Sequence, residues 1–277
     1  MRAAAPRVGR PATDSLFDIA DKVAVVAGAG GGLGTAICAG LAAHGADVAL
    51  LEQNAETLRA SAAGVEATGR SALALELDVS DEVGVAAAFA KIDETFDKVD
   101  ILVNLAYTPR FGAPHELALA DWEQAMRINL TSYFLSSQEA AKRMIARGAG
   151  GAIVQMCSIA GTSALGRGNF PYSVGKGGIV MMTKEMAIEW ARFGIRVNAI
   201  QPCQFMTPGL KIRLEDPELG VSIREKFLSG IPLRRLGEPR EMVGPVLFLV
   251  SEASSMVTGA ILPVDGGNLA LNAGGTT

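Results

Sequence analysis

Tyr172 and Lys176 stand four residues apart in a stretch that reads as helical. That spacing stacks the two side chains one turn apart on a single helix face. An ammonium beside a phenol favours the phenolate, so the pair would bring a tyrosine toward the range of a general acid or base acting on an alcohol or carbonyl oxygen. Alone, the pair says little, because Tyr-x-x-x-Lys arises by chance on many helices as surface decoration. A second feature lies upstream. The segment Ala27-Gly28-Ala29-Gly30-Gly31-Gly32-Leu33-Gly34 follows an apolar run and opens a helical one. Glycines let a backbone turn tightly and come close to a pyrophosphate, and the helix N-terminus adds free N–H groups and a positive dipole end. Glu52 follows Gly34 by 18 residues and closes the next apolar run. A carboxylate there can accept hydrogen bonds from an adenosine ribose diol; the plain alternative is a solvated charge at a strand end.

These residues need a frame to hold them. Apolar runs at 23–27, 48–51, 72–77, 101–103, 152–156, 196–200 and 260–264 predict strands. Between them, helical patterns run over 32–43, from an Asn54 cap toward Gly69, from a Ser80 cap with Asp81 and Glu82 in the first turn, and over 121–126, 130–147, 171–193 and 239–250. Strand–helix alternation of this kind predicts an α/β parallel sheet with helices on both faces. The section 204–230 is charged and reads as an irregular flap. With no repeat, low-complexity tract or linker, the chain is expected to form a single domain over 16–277. A flexible extension would precede it at 1–15, where Arg2, Arg7 and Arg10 lack the apolar stretch of a secretory signal.

Composition removes several function classes. Of 277 residues, 49% are hydrophobic and 19% charged, enough to bury a large core and too apolar for disorder. The net charge of −4 argues against a nucleic-acid surface. Three cysteines, Cys38, Cys157 and Cys203, show no Cys-x-x-Cys spacing and cannot all pair, which favours a reducing, cytoplasmic compartment. His44 and His115 form no metal-ligand cluster, so no metal is expected. The uncharged stretch 23–43 is long enough to span a bilayer. The glycines packed between 28 and 34 would break such a helix, so no membrane association is expected.

Further motifs occur in order along the chain: Asp78-Val79, Asn104 with Ala106, Arg127-Ile128-Asn129-Leu130, Ser158, Tyr172 and Lys176, Arg196-Val197-Asn198-Ala199, Pro202 with Thr207-Pro208, Gly237-Glu238-Pro239, and Val264-Asp265-Gly266-Gly267. Together with the glycine loop, their types and spacings resemble the short-chain dehydrogenase/reductase family over about residues 16–268. The resemblance implies a doubly wound, Rossmann-type sheet and NAD(P)-dependent oxidation of an alcohol or reduction of a carbonyl. It makes Tyr172 the acid/base and lets Lys176 lower its pKa and bind the nicotinamide ribose. It has Ser158 hydrogen-bond the substrate oxygen, and Asn129 hold a water that links Lys176 to solvent. It assigns cofactor contacts to Gly28, Gly31, Gly32, Leu33, Gly34, Glu52, Asp78, Val79, Asn104, Ala106, Pro202, Phe205 and Thr207. A homotetramer, or failing that a dimer, is implied by family surfaces that match the mixed helical faces of 120–147 and 171–193 and the apolar 261–271.

The sequence departs from the family pattern at three places. Ala27 replaces a threonine. Tyr107 replaces a glycine beside the cofactor, so that either the pocket wall differs or the ring packs outward. Cys203 replaces another glycine and either narrows the pocket or is a benign small apolar residue. The lead-in Ser15-Leu16-Phe17-Asp18 resembles sugar-acid and polyol dehydrogenases, with ketoacyl carrier-protein reductases as the alternative. NAD is expected over NADP because Glu52 would repel a 2′-phosphate. Arg110, Arg167, Lys211 and Arg213 are either anion-binding loop residues or solvated charges. A non-catalytic nucleotide-binding scaffold is the reading of another class, and the presence of both Tyr172 and Lys176 weighs against it.

Overall fold

Uninterrupted apolar runs can be buried only where both faces of a strand are covered. They become the strands of one sheet in the computed structural model, which describes residues 14–109, 111–166 and 168–271. The strands are β1 (Val23–Ala27), β2 (Asp47–Glu52), β3 (Ala72–Glu76), β4 (Ile101–Asn104), β5 (Gly151–Met156), β6 (Ile195–Pro202) and β7 (Ile261–Val264). All neighbours pair in parallel in the order β3-β2-β1-β4-β5-β6-β7. The chain direction across the sheet reverses between β1 and β4. Loops leaving their C-terminal ends part there and open the crevice in which such folds bind ligands.

Strand side chains alternate between two cores. Ala24, Val26, Val48 and Leu50 pack with Ile37 and Leu41 of α1 (Gly32–Ala43), with Leu58 of α2 (Ala55–Glu66), and with residues near the C-terminus. Val25, Ala27, Ala49 and Leu51 face the other way, onto α3 (Glu82–Phe96), α5 (Ser132–Arg147) and α6 (Phe170–Trp190). Between α3 and α5, α4 (Leu119–Met126) runs into α5 through a π-helical turn at Arg127–Thr131. A third, small cluster of Tyr133, Cys157, Ile179 and Ala199 lies under the end of β5. The helix α9 (Val243–Val250) follows a 3-10 turn.

Local chemistry explains the helix starts. The Asn54 side chain accepts hydrogen bonds from the backbone N–H groups of Glu56 and Thr57, both at 3.0 Å. For α3 the cap is Asp81 and not the expected Ser80. The Asp81 carboxylate reaches the Val83 N–H at 3.3 Å, and charge improves it as an acceptor at a positive helix end. The expected irregular flap at 204–230 instead holds α7 (Pro208–Leu214) and α8 (Gly220–Leu228). Thr207 caps α7 with Pro208 at its first position, and the charges that suggested a loop lie on exposed sides of short helices. Of the expected extension at 1–15, only Asp14 and Ser15 fall among the described residues, at the start of a 3-10 turn, Asp14–Phe17. No helix of the described residues is long and apolar enough to cross a membrane.

Phe89 of α3 is wholly enclosed by the second core. Phe89→Ala is expected to lower unfolding free energy by about 3–5 kcal/mol, read as a shifted midpoint in urea denaturation.

Candidate active site

The crevice at the sheet reversal is a cleft of about 650 Å³. One end is the glycine loop. Gly28 has φ +88°, and a Cβ there would lie 2.8 Å from the Ala106 nitrogen. A Cβ on Gly34 would run into the carbonyl oxygen of Gly28. Only glycine fits either place. Gly31 is the N-cap of α1 and supplies no side-chain acceptor, so the helix meets the cleft with its first amides uncapped. Glu52, the last residue of β2, lies beside this loop. Its carboxylate accepts the Gly30 N–H and the Asn54 N–H, each at 3.0 Å. A carboxylate has acceptor sites beyond these two, so it retains capacity for a ligand hydroxyl. Asp78 and Val79, just past β3, complete this end. A free helix N-terminus and a cradle closed to any Cβ fit a dinucleotide, with a fixed carboxylate beyond them.

The other end carries the reactive groups. Ser158 follows β5 and accepts the Ala160 N–H on its Oγ at 3.1 Å, which leaves its hydroxyl proton free to donate. Tyr172 sits in the first turn of α6, where the Ser158 hydroxyl favours its ionised form. Lys176, one turn on, is 2% exposed. Its Nζ donates to the Met156 carbonyl oxygen at 2.8 Å and to the Tyr133 hydroxyl at 2.9 Å. Burial pushes the Tyr172 phenol up to about 12, against the opposing Ser158 hydrogen bond. Burial likewise pushes Lys176 down to about 8. The expected lowering of Tyr172 by Lys176 is absent in the free chain. Burial dominates at that phenol, and Lys176 Nζ lies 5.7 Å from the centre of the Tyr172 ring.

Most of the residues singled out from the sequence line this one cleft: Gly28, Gly31–Gly34, Glu52, Asp78, Val79, Ala106, Ser158, Tyr172, Lys176, Pro202, Phe205 and Thr207. Two do not. Asn104 ends β4 with its side chain turned into the protein, donating to Gln155 at 2.9 Å and Ser137 at 3.1 Å. Asn129 is fully buried in the π-helical turn, where its amide exchanges hydrogen bonds with the Thr108 backbone at 3.0 and 3.1 Å. Its side chain is thus committed to holding the loop after β4. Tyr107 is exposed but lines the cleft, and Cys203 lines it too. Lys211 and Arg213 lie on α7 outside the cleft wall, and Arg110 and Arg167 fall outside the described residues. Two contributors were not foreseen. Gln201 donates to the Ser158 carbonyl at 3.0 Å and fixes the segment that carries that serine. Tyr133 contacts Lys176. Its only sequence signal is its place four residues after Asn129, on the same helical face.

The family profile described as Enoyl-(Acyl carrier protein) reductase matches residues 28–268, nearly the whole span of the sheet. The chain belongs to the short-chain dehydrogenase/reductase family. It shares 40% identity over 256 residues with the galactitol 2-dehydrogenase (L-tagatose-forming) of Cereibacter sphaeroides, covering 91% of this chain and 97% of that one. With the gluconate 5-dehydrogenase of Gluconobacter oxydans the identity is 37% over 253 residues, covering 91% and 96%. The solved gluconate 5-dehydrogenase of Burkholderia cenocepacia, in complex with NADP and tartrate, superimposes with a TM-score of 0.86 at 32% identity, covering 94% of this chain and all of that one. As a short-chain dehydrogenase/reductase the chain is an oxidoreductase of alcohol and carbonyl groups that works with a nicotinamide cofactor.

Proposed function

We propose that this short-chain dehydrogenase/reductase moves a hydride between NAD and a secondary alcohol or ketone of the polyol or sugar-acid class. The carrying observation is the convergence of Ser158, Tyr172 and Lys176 on one cleft whose far end is the glycine cradle. The names of the two curated relatives support the substrate class. When bound, the nicotinamide supplies the hydride acceptor or donor. The chain's own groups handle the proton. Ser158 Oγ donates to the substrate oxygen and orients it. Tyr172 Oη takes the alcohol proton in oxidation and returns it in reduction. Lys176 keeps a positive charge nearby, which favours the phenolate. A non-catalytic scaffold would have no need of these three groups on a shared cleft.

NAD is preferred over NADP in this reading. The Glu52 carboxylate is fixed by two amides where the ribose diol would lie, and the described cleft wall holds no Arg or Lys besides Lys176. A 2′-phosphate would meet an unbalanced like charge, worth about 1–4 kcal/mol at roughly 4 Å between water and an effective dielectric of 20. Because Glu52 also holds the Gly30 amide, Glu52→Ala would loosen the loop as well as remove the charge.

A homotetramer, built on a symmetric dimer, is the proposed assembly. Val174, Met181 and Ile188 recur every seven residues along α6 and are exposed, with Phe134 of α5 also exposed. That spacing lines one face of a helix.

Three measurements test these readings. Tyr172→Phe is expected to lower kcat by about 10²–10⁴-fold while NADH still binds, as followed by fluorescence titration; near-normal kcat would sink the acid/base role. kcat/KM for NAD should exceed that for NADP by about tenfold to a thousandfold, and equality would remove the role given to Glu52. Light scattering at micromolar concentration should give a tetramer's mass, with a monomer's mass excluding the assembly.

A further inference from the structure

Tyr133 is fully buried at the start of α5, directly after the π-helical turn, and its hydroxyl does not reach the cleft wall. A buried tyrosine requires a partner for its O–H. Here the hydroxyl donates to the Met156 carbonyl at 2.9 Å and accepts from Lys176 Nζ at 2.9 Å, while Nζ also donates to Met156 at 2.8 Å. The three groups close a triangle behind the cleft. We propose that Tyr133 is a positioning residue for this enzyme, whose hydroxyl fixes the Lys176 ammonium from behind and keeps it charged and aimed at the cleft.

The donor count supports this. An ammonium has three N–H bonds. Two are spent on Tyr133 and Met156, and one remains for the cleft side. The Tyr133 ring adds to the hold, with its centre 4.6 Å from Nζ. Tyr133 is no rival base. Burial pushes its phenol well above the ordinary tyrosine value, so it stays neutral and serves as acceptor for the ammonium and donor to Met156. Among the described residues, the titratable groups facing Lys176 are Tyr133 from α5, Cys157 from the end of β5 and Tyr172 from its own helix. Neutral oxygens therefore do the work that a carboxylate would otherwise do. The Asn129 side-chain amide is instead committed to the Thr108 backbone.

The inference rests on the acid/base reading of Tyr172 and Lys176, and its sign follows from that reading. Removing the Tyr133 oxygen takes an acceptor from a buried cation, so the charged form of Lys176 is favoured less. The Tyr172 phenolate then loses support, and the rising limb of alcohol oxidation with pH moves to higher pH. Tyr133→Phe keeps the ring and is the test. The limb of log kcat/KM for oxidation is expected to move up by about one pH unit, with activity below the limb falling about tenfold. Tyr133→Met, which occupies the site without a hydroxyl, is expected to move it the same way. A hydroxyl with a merely structural role would lower Tm and leave the limb in place. An unmoved limb in a folded variant overturns the proposal, whatever happens to Tm. If Tyr172→Phe is inactive while the Tyr133→Phe limb stays put, only this inference fails. If Tyr172→Phe keeps normal turnover, the underlying reading fails and this one with it.

Discussion

A cation held at 2% exposure must be surrounded by oxygen, and the neighbourhood of the cleft is organised around that demand. Lys176 is carried by α6, but both of its acceptors come from elsewhere: Met156 from the last position of β5, and Tyr133 from the first turn of α5. Bringing three elements to one point requires close helix packing. A Cβ on Gly175 would lie 3.0 Å from the Asn129 Cβ, and one on Gly178 would lie 2.9 Å from a Leu130 methyl. The glycine face of α6 is what lets the π-helical turn approach closely. The turn in turn sets where Tyr133 enters.

At the opposite end of the cleft the governing group is an anion. The Glu52 carboxylate joins the glycine loop to the start of α2 by accepting the amides of Gly30 and Asn54. A side chain on Gly30 would strike both Thr57 and Glu52, so the loop and this carboxylate fit each other. The cleft thus has a negative group fixed at one end by backbone amides and a positive group fixed at the other by a strand-end carbonyl and a buried tyrosine hydroxyl. The positive group suits a ligand whose reacting end develops negative charge on oxygen.

Behind the wall, a polar cluster ties the central strands together. Asn104, Gln155 and Ser137 hydrogen-bond with one another where β4, β5 and α5 meet, and Gln201 of β6 reaches the Ser158 carbonyl. The paired donors of this cluster favour one arrangement of these elements, with the Asn104 Oδ1 left as a buried acceptor without a partner. The side chains of Asn104, expected as a cofactor contact, and of Asn129, expected to hold a water near Lys176, belong to this supporting layer. Asn104 braces β4, and Asn129 braces the loop at Thr108 that follows it.

Much of this was legible in the amino-acid order. Buried strands announce themselves as unbroken apolar runs, and the parallel sheet follows from their alternation with helical patterns. The glycine loop and Glu52 stood out from their local context, whereas Ser158, Tyr172 and Lys176 were singled out by the whole series of motifs and the family it resembles. What escaped was long-range. The flap helices α7 and α8 are short and charged, and their pattern resembles a loop until tertiary contacts secure them. The partner of Lys176 lies 43 residues away on another element. Nothing in the spacing of Tyr133 and Lys176 pairs them, because the approach depends on how a π-helical turn and a glycine face pack. Residue types set which chemistry was possible. The folded packing decided that the lysine's charge is held by a buried tyrosine and a strand-end carbonyl, and that Tyr172 in the free chain titrates high rather than low.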